Sequence, residues 1–231
     1  MYGVNWCVAL GRLTSDPVSY SADRLNCVSF RVDCSRGPYT QGNRTSTRNG
    51  ARLWVHALQH HYDNVKLKAG DYAIAQGAIH PHPLISMQYT GSGYGLGLFA
   101  KQLAGVVNPE FRCSTFWAND CPCLITGKVL PPGAVWRESQ SSGRPYCVFT
   151  ILHEAEHLVD RQSRRARPTS RIPIMYMRDD EWSQRIRPGT QVVCRGKILN
   201  WALKSDQLRL FCEQLDIMSL PPEQKSEASP S

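Results

Sequence analysis

No apolar run in this 231-residue sequence approaches the length of a membrane span, and the N-terminus lacks the charged-then-apolar form of a signal peptide. These absences predict a soluble cytoplasmic chain with no membrane partner. There is no phosphate-cradling glycine loop, no nucleophile elbow and no spaced carboxylate pair. An ATPase or hydrolase therefore has no support, and no cofactor is expected. Acidic residues are scarce: 19 Asp and Glu face 27 Lys and Arg, a net charge of +8 and a pI near 9.1. That balance favours a polyanionic partner, nucleic acid foremost. The nine cysteines are odd in number and scattered through strand-like runs, so they read as reduced, buried thiols rather than a disulfide framework.

What is present is β-structure. Hydrophobic residues make up 42% and charged residues 20%, enough apolar material for one large core or two small ones. Short runs rich in Val, Ile, Leu and Phe are bounded by Gly, Pro or Ser. They include Cys123 to Leu130, Tyr146 to Leu152, Arg187 to Leu199 and Leu208 to Ile217. Strands of this length with little helix between them predict an antiparallel barrel or sandwich.

The plan occurs twice. Gly11 precedes Gly127 by 116 residues, Cys27 precedes Cys147 by 120, and Gly70 and Gly77 precede Gly189 and Gly196 by 119 each. A nearly constant offset predicts two copies of one supersecondary unit. The boundaries expected are 1–107 and 123–218, with a linker at 108–122 and a disordered tail at 219–231.

These runs also carry a resemblance. Ser142-Gly-Arg-Pro-Tyr-Cys-Val-Phe149, Pro188 to Gly196 and Glu213-Gln-Leu-Asp-Ile217 resemble the primosomal replication protein N branch of the single-stranded DNA-binding proteins. Leu10-Gly-Arg-Leu-Thr-Ser-Asp-Pro17, Phe30-Arg-Val32 and Leu53-Trp-Val-His-Ala-Leu58 are similar to the general bacterial single-strand-binding proteins. The resemblance implies an all-β chain of two tandem OB-folds, five-stranded Greek-key barrels with long loops, binding single strands without catalysis. It further implies a bacterial cytosol or nucleoid location, a replication or restart helicase as partner, and either a homodimer presenting four barrels or a two-barrel monomer that imitates a dimer. In the general family an aromatic that stacks on bases begins the strand matching Leu53–Leu58, which points to Trp54. The tryptophan that the primosomal branch carries before its Ile-Pro pair is absent from Pro168-Thr-Ser-Arg-Ile-Pro173, which implies a weaker or dimerising second copy.

An OB barrel binds single strands by lining a groove with cations for phosphates and rings for bases, each stack being worth about 1–3 kcal/mol. The candidates in the first copy are Arg31, Arg44, Arg48, Arg52, Trp54, Tyr89 and Tyr94. In the second copy they are Arg144, the loop cluster Arg161, Arg164, Arg165, Arg167 and Arg171, then Arg195, Lys197, Trp201, Lys204 and Arg209. The partner expected is single-stranded DNA, with RNA also compatible. An OB pair acting as a structural subunit of a larger nucleoprotein complex is the alternative from a different class.

Two motifs point to metal. His153-Glu154-Ala-Glu-His157 matches the zinc-peptidase pattern, which requires a helix. The run entering it is β-branched and aromatic, which predicts strand, where positions 153 and 157 stand about 13 Å apart. Cys113, Cys121 and Cys123 lack paired Cys-x-x-Cys spacing. His56, His60, His61, His80 and His82 are expected on the surface. No metal is predicted.

Overall fold

The computed structural model describes residues 3–22, 25–34, 39–41, 44–46, 51–81, 96–106, 121–140, 142–154, 169–200 and 207–221. The first copy contains β1 (Asn5–Leu13), β2 (Val18–Ala22), β3 (Leu25–Asp33), β4 (Tyr39–Gln41), β5 (Arg44–Ser46), β6 (Arg52–Leu58), α1 (Gln59–Asp63), β7 (Tyr72–Pro81) and β8 (Leu96–Val106). The second contains β9 (Pro122–Val129), β10 (Val135–Glu138), β11 (Pro145–Glu154), β12 (Thr169–Tyr176), α2 (Glu181–Gln184), β13 (Gln191–Asn200) and β14 (Leu208–Ser219). Side chains alternate along the strands as half-buried β-structure demands. In β13, Val192, Cys194, Gly196 and Ile198 turn to the core while Gln191 and Arg195 face water.

Each copy closes into a five-stranded barrel by the same pairings. In the first, β1 pairs β3, β3 pairs β6, β6 runs parallel to β8, β8 pairs β7, and β7 returns to β1. In the second, β9, β11, β12, β14 and β13 repeat that circuit, again with one parallel pair, β12 with β14. This is the OB-fold topology, present twice. An extra strand hairpins onto the second barrel strand of each copy, β2 on β3 and β10 on β11.

Glycines sit where the barrels bend. The ladder slips one residue just before Gly77 and just before Gly196. A Cβ added there would stand 1.8 Å from the Phe99 carbonyl oxygen and 2.0 Å from that of Phe211. Only a bare backbone passes its neighbour at such a bulge. Gly70 and Gly189, the turn glycines of the repeat, have φ of 94° and 91°.

The registers refine the repeat. Leu13 pairs Val32 as Val129 pairs Ile151, so Phe30 corresponds to Phe149, an offset of 119. Cys27 therefore corresponds to Tyr146, and the Cys27–Cys147 landmark at 120 is one residue out of register. A one-residue slip moves a strand residue to the opposite face. Cys147 accordingly points into its barrel, and Cys27 lies on the side where Tyr20 pairs with it.

The two barrels share one continuous sheet, because β1 pairs antiparallel with β9 at Asn5–Ile125, Trp6–Leu124 and Cys7–Cys123. Cys7 and Cys123 are equivalent in the repeat, so an approximate twofold axis passes between them. The junction is tied at both ends. The Arg52 amide donates to Asn200 Oδ1 at 2.6 Å, and the Ser170 hydroxyl donates to the Ile79 carbonyl at 3.3 Å. Apolar residues of both barrels form a single buried core that crosses this seam. β9 begins at Pro122, and the buried Cys121 before it accepts a hydrogen bond from the Ile198 amide.

Candidate nucleic-acid interface

The outer surface of β2, β3 and β6 forms one side of the first barrel. Phe30 and Val32 fill the interior, so alternation turns Arg31 and Asp33 outward, beside Trp54 and Arg52 of β6. Trp54 is half-buried, with the Arg31 guanidinium carbon 5.6 Å from its ring centroid. That is cation–π geometry. Arg52 is exposed and donates from Nε to Asp33 Oδ2 at 3.0 Å. Gly97 of β8 lies beside Trp54 and adds no side chain over it. Farther along, the Tyr20 hydroxyl meets His56 Nδ1 at 2.7 Å with the two rings edge to face.

The equivalent surface of the second barrel is furnished differently. Phe149 pairs Ile174 as Phe30 pairs Val55, so Thr150 stands where Arg31 does and Pro173 where Trp54 does. Pro173 is buried, and Arg209 occupies the position of Gly97. Arg209 is half-buried, and desolvation by burial lowers its pKa. Arg171 is exposed at the position of Arg52, and Arg144 is exposed in the β10–β11 turn. The same hairpin presents residues the sequence reading did not assign: Trp136, 40% exposed, and Arg137, which pairs with Tyr146. Their signal was the turn Ser142-Gly143 between two β-rich runs.

Arg195 and Lys197 stand apart from both surfaces. They project from β13 onto the outer face of the six-stranded sheet β8-β7-β1-β9-β13-β14. There they line a depression of about 560 Å³ with Trp6, Leu124, Glu213 and Asp216. Arg44 lies in β5, which pairs with β4 inside the polar stretch expected to form a hairpin. Arg48, Tyr89, Tyr94, Arg161, Arg164, Arg165, Arg167, Trp201 and Lys204 lie outside the described residues.

The histidine and cysteine motifs resolve as strand and core. His153 and Glu154 end β11, pairing with Ser170 and Thr169, so they do not lie on a helix. His153 is buried, with Nδ1 2.7 Å from the Thr126 carbonyl oxygen; His157 lies outside the described residues. Contrary to the surface expectation, His56 and His80 are also buried, at 2% and 7% exposure. His80 Nδ1 has no hydrogen-bond partner among the described residues. Burial, with His153 and Lys101 nearby, pushes its pKa down to about 4. His60 is exposed and His61 half-buried, while His82 lies outside the described residues. Cys121 Sγ is 3.5 Å from Cys7 Sγ across the seam. A hydrogen bond with Cys121 and burial push the Cys34 thiol well up, which makes it a packing group rather than a nucleophile. Cys113 lies outside the described residues.

No protein-family model matches the sequence, and no curated protein matches it. Solved structures do match. The wild-type single-stranded DNA-binding protein from Thermus aquaticus aligns over 100% of this chain and 100% of its own, at 16% identity and a TM-score of 0.64. A deletion mutant of that protein aligns over 96% of this chain and 99% of its own, at 15% identity and the same TM-score. Neither is a primosomal replication protein N. Along its whole length, this chain shares the fold of a bacterial single-stranded DNA-binding protein.

Proposed function

We propose that this chain is a non-enzymatic single-stranded DNA-binding protein of low sequence preference. Its place is in DNA replication, replication restart or mobile-element maintenance, in the cytoplasm and with a replication or restart helicase as partner. One observation carries the reading: the Arg31–Trp54 pair on the outer face of a barrel, in a chain of net charge +8. An indole kept half-exposed forgoes part of its burial free energy, about 25 cal/mol per Å² of apolar surface. A base stacked on it would recover that area, and Arg31 and Arg52 would take the flanking phosphates.

We further propose a homodimer formed through the other side of the molecule. The face of the six-stranded sheet exposes Trp6 at 39% and Ile74 at 44%, between the half-buried Val8, Leu10, Leu124 and Val193. Two copies meeting there would leave the Trp54 surfaces open.

The test is fluorescence-polarisation binding of oligo-dT, oligo-rU and duplex DNA across a salt series. The expected result is tight binding of oligo-dT, with log K falling by about 0.7 per phosphate contacted for each unit of log salt. Trp54→Ala should weaken it roughly 5- to 150-fold, the equivalent of one lost stack. Absence of binding to all three at low salt would overturn the proposal and leave the barrels as protein-docking modules.

A further inference from the structure

The two barrels have the same topology but unlike outer surfaces, and the difference is specific. The guanidinium-over-indole pair of the first copy is replaced in the second by Thr150 and the buried Pro173, with Arg209 where the first copy has Gly97. Among the described residues, no ring stands at that point of the second barrel. Four residues back along β11, about 13 Å at the rise of a strand, stands Tyr146. Its cross-strand partner is Arg137 of β10. Arg144 lies two residues before it, in the turn ahead of β11, and the Ser139 amide donates to the Arg144 carbonyl where the hairpin closes. Arg137 and Arg144 are exposed and Tyr146 is half-buried. One ring with two exposed cations beside it in the same hairpin is the combination that recognises a base with its neighbouring phosphates.

We infer that Tyr146 is the base-stacking residue of the second copy, with Arg137 and Arg144 holding the flanking phosphates of the same single strand. The inference rests on the single-strand-binding reading and extends it. The chain then holds a strand at two unequal stations, mid-groove at Trp54 and at the hairpin end at Tyr146. The approximate twofold symmetry of the fold does not extend to its contacts.

The experiment uses the full chain and an oligo-dT long enough to reach both barrels. Tyr146→Leu keeps the bulk and removes the π-face, while Tyr146→Phe keeps both. Thermal unfolding of each variant reports whether the barrel is intact. The expected result is at least a fivefold loss of affinity for Tyr146→Leu and less than twofold for Tyr146→Phe. Reversing both arginines (R137E with R144E) should lower the salt slope by about 1.4, two phosphates at 0.7 each. Photocrosslinking with an oligonucleotide carrying 5-iododeoxyuridine should label Tyr146. If Tyr146→Leu binds as the wild type does while Trp54→Ala is weakened, the second station is wrong and the general reading survives. If Tyr146→Phe loses as much as Tyr146→Leu, the hydroxyl rather than the ring matters and the stacking role fails. If the wild-type chain binds no single strand, both readings fall together.

Discussion

Trp54 and His80 show how far a residue's role depends on which side of a strand it occupies. Both lie in β-rich runs, but Trp54 turns outward under Arg31 and His80 turns inward beside His153. His80 carries a prediction about pH. Its pKa in the folded chain is about 4, below the ordinary 6.5, so the folded state binds fewer protons than the unfolded one between those values. Its contribution is complete above pH 6.5 and is lost as the pH falls toward 4. The full loss is on the order of 3 kcal/mol, from a shift of about two and a half units. Urea unfolding at pH 7, 5.5 and 4.5 should show this slope, and His80→Gln should flatten it. An unchanged slope in that variant would mean that other groups drive the acid sensitivity.

Among the elements, β7 and β13 govern barrel closure. Each slips register at a glycine whose missing Cβ leaves room for a facing carbonyl, Phe99 in one copy and Phe211 in the other. Gly196→Ala must push β13 away from β14, and Gly77→Ala must push β7 from β8. Overpacking of this kind costs about 1–3 kcal/mol. Differential scanning calorimetry should find both variants destabilised, whereas alanine at Gly70 meets no atom within 4 Å and suffers only from its φ of 94°. Wild-type stability in Gly196→Ala would show that the bulge tolerates a side chain. The glycine periodicity was legible in the sequence because a bend between paired strands admits only this residue. Cys27 was not aligned correctly, since a cysteine on either face of a strand looks the same in one dimension.

For the molecule as a whole, the seam between barrels and the six-stranded face are the defining features. The seam places the equivalent Cys7 and Cys123 opposite each other and leaves Trp6 and Ile74 on the outer face. For the proposed homodimer, sedimentation at micromolar concentration should give about twice the chain mass of 26.0 kDa. Trp6→Glu with Ile74→Glu should return it to one, because buried unpaired carboxylates oppose association. A wild-type chain that sediments as a monomer would remove the dimer from the proposal.

The sequence alone was enough for the strand content, the twofold repeat and the basic character. Each of these rests on local pattern: alternation, glycine spacing and charge count. Closure of the circuit, the β1–β9 seam and the burial of His56 and His80 were decided only in the folded chain, because they depend on which strands lie side by side. The same cause separates Arg195 and Lys197 from Arg31 and Trp54. All four belong to basic or aromatic positions in β-strands, yet strand order places the first two on the sheet face and the second two on the barrel flank. The inequality of the two copies is likewise tertiary. Pro173 and Arg209 are distant in sequence, and only the parallel pairing of β12 with β14 brings them together where the first copy has Trp54 and Gly97.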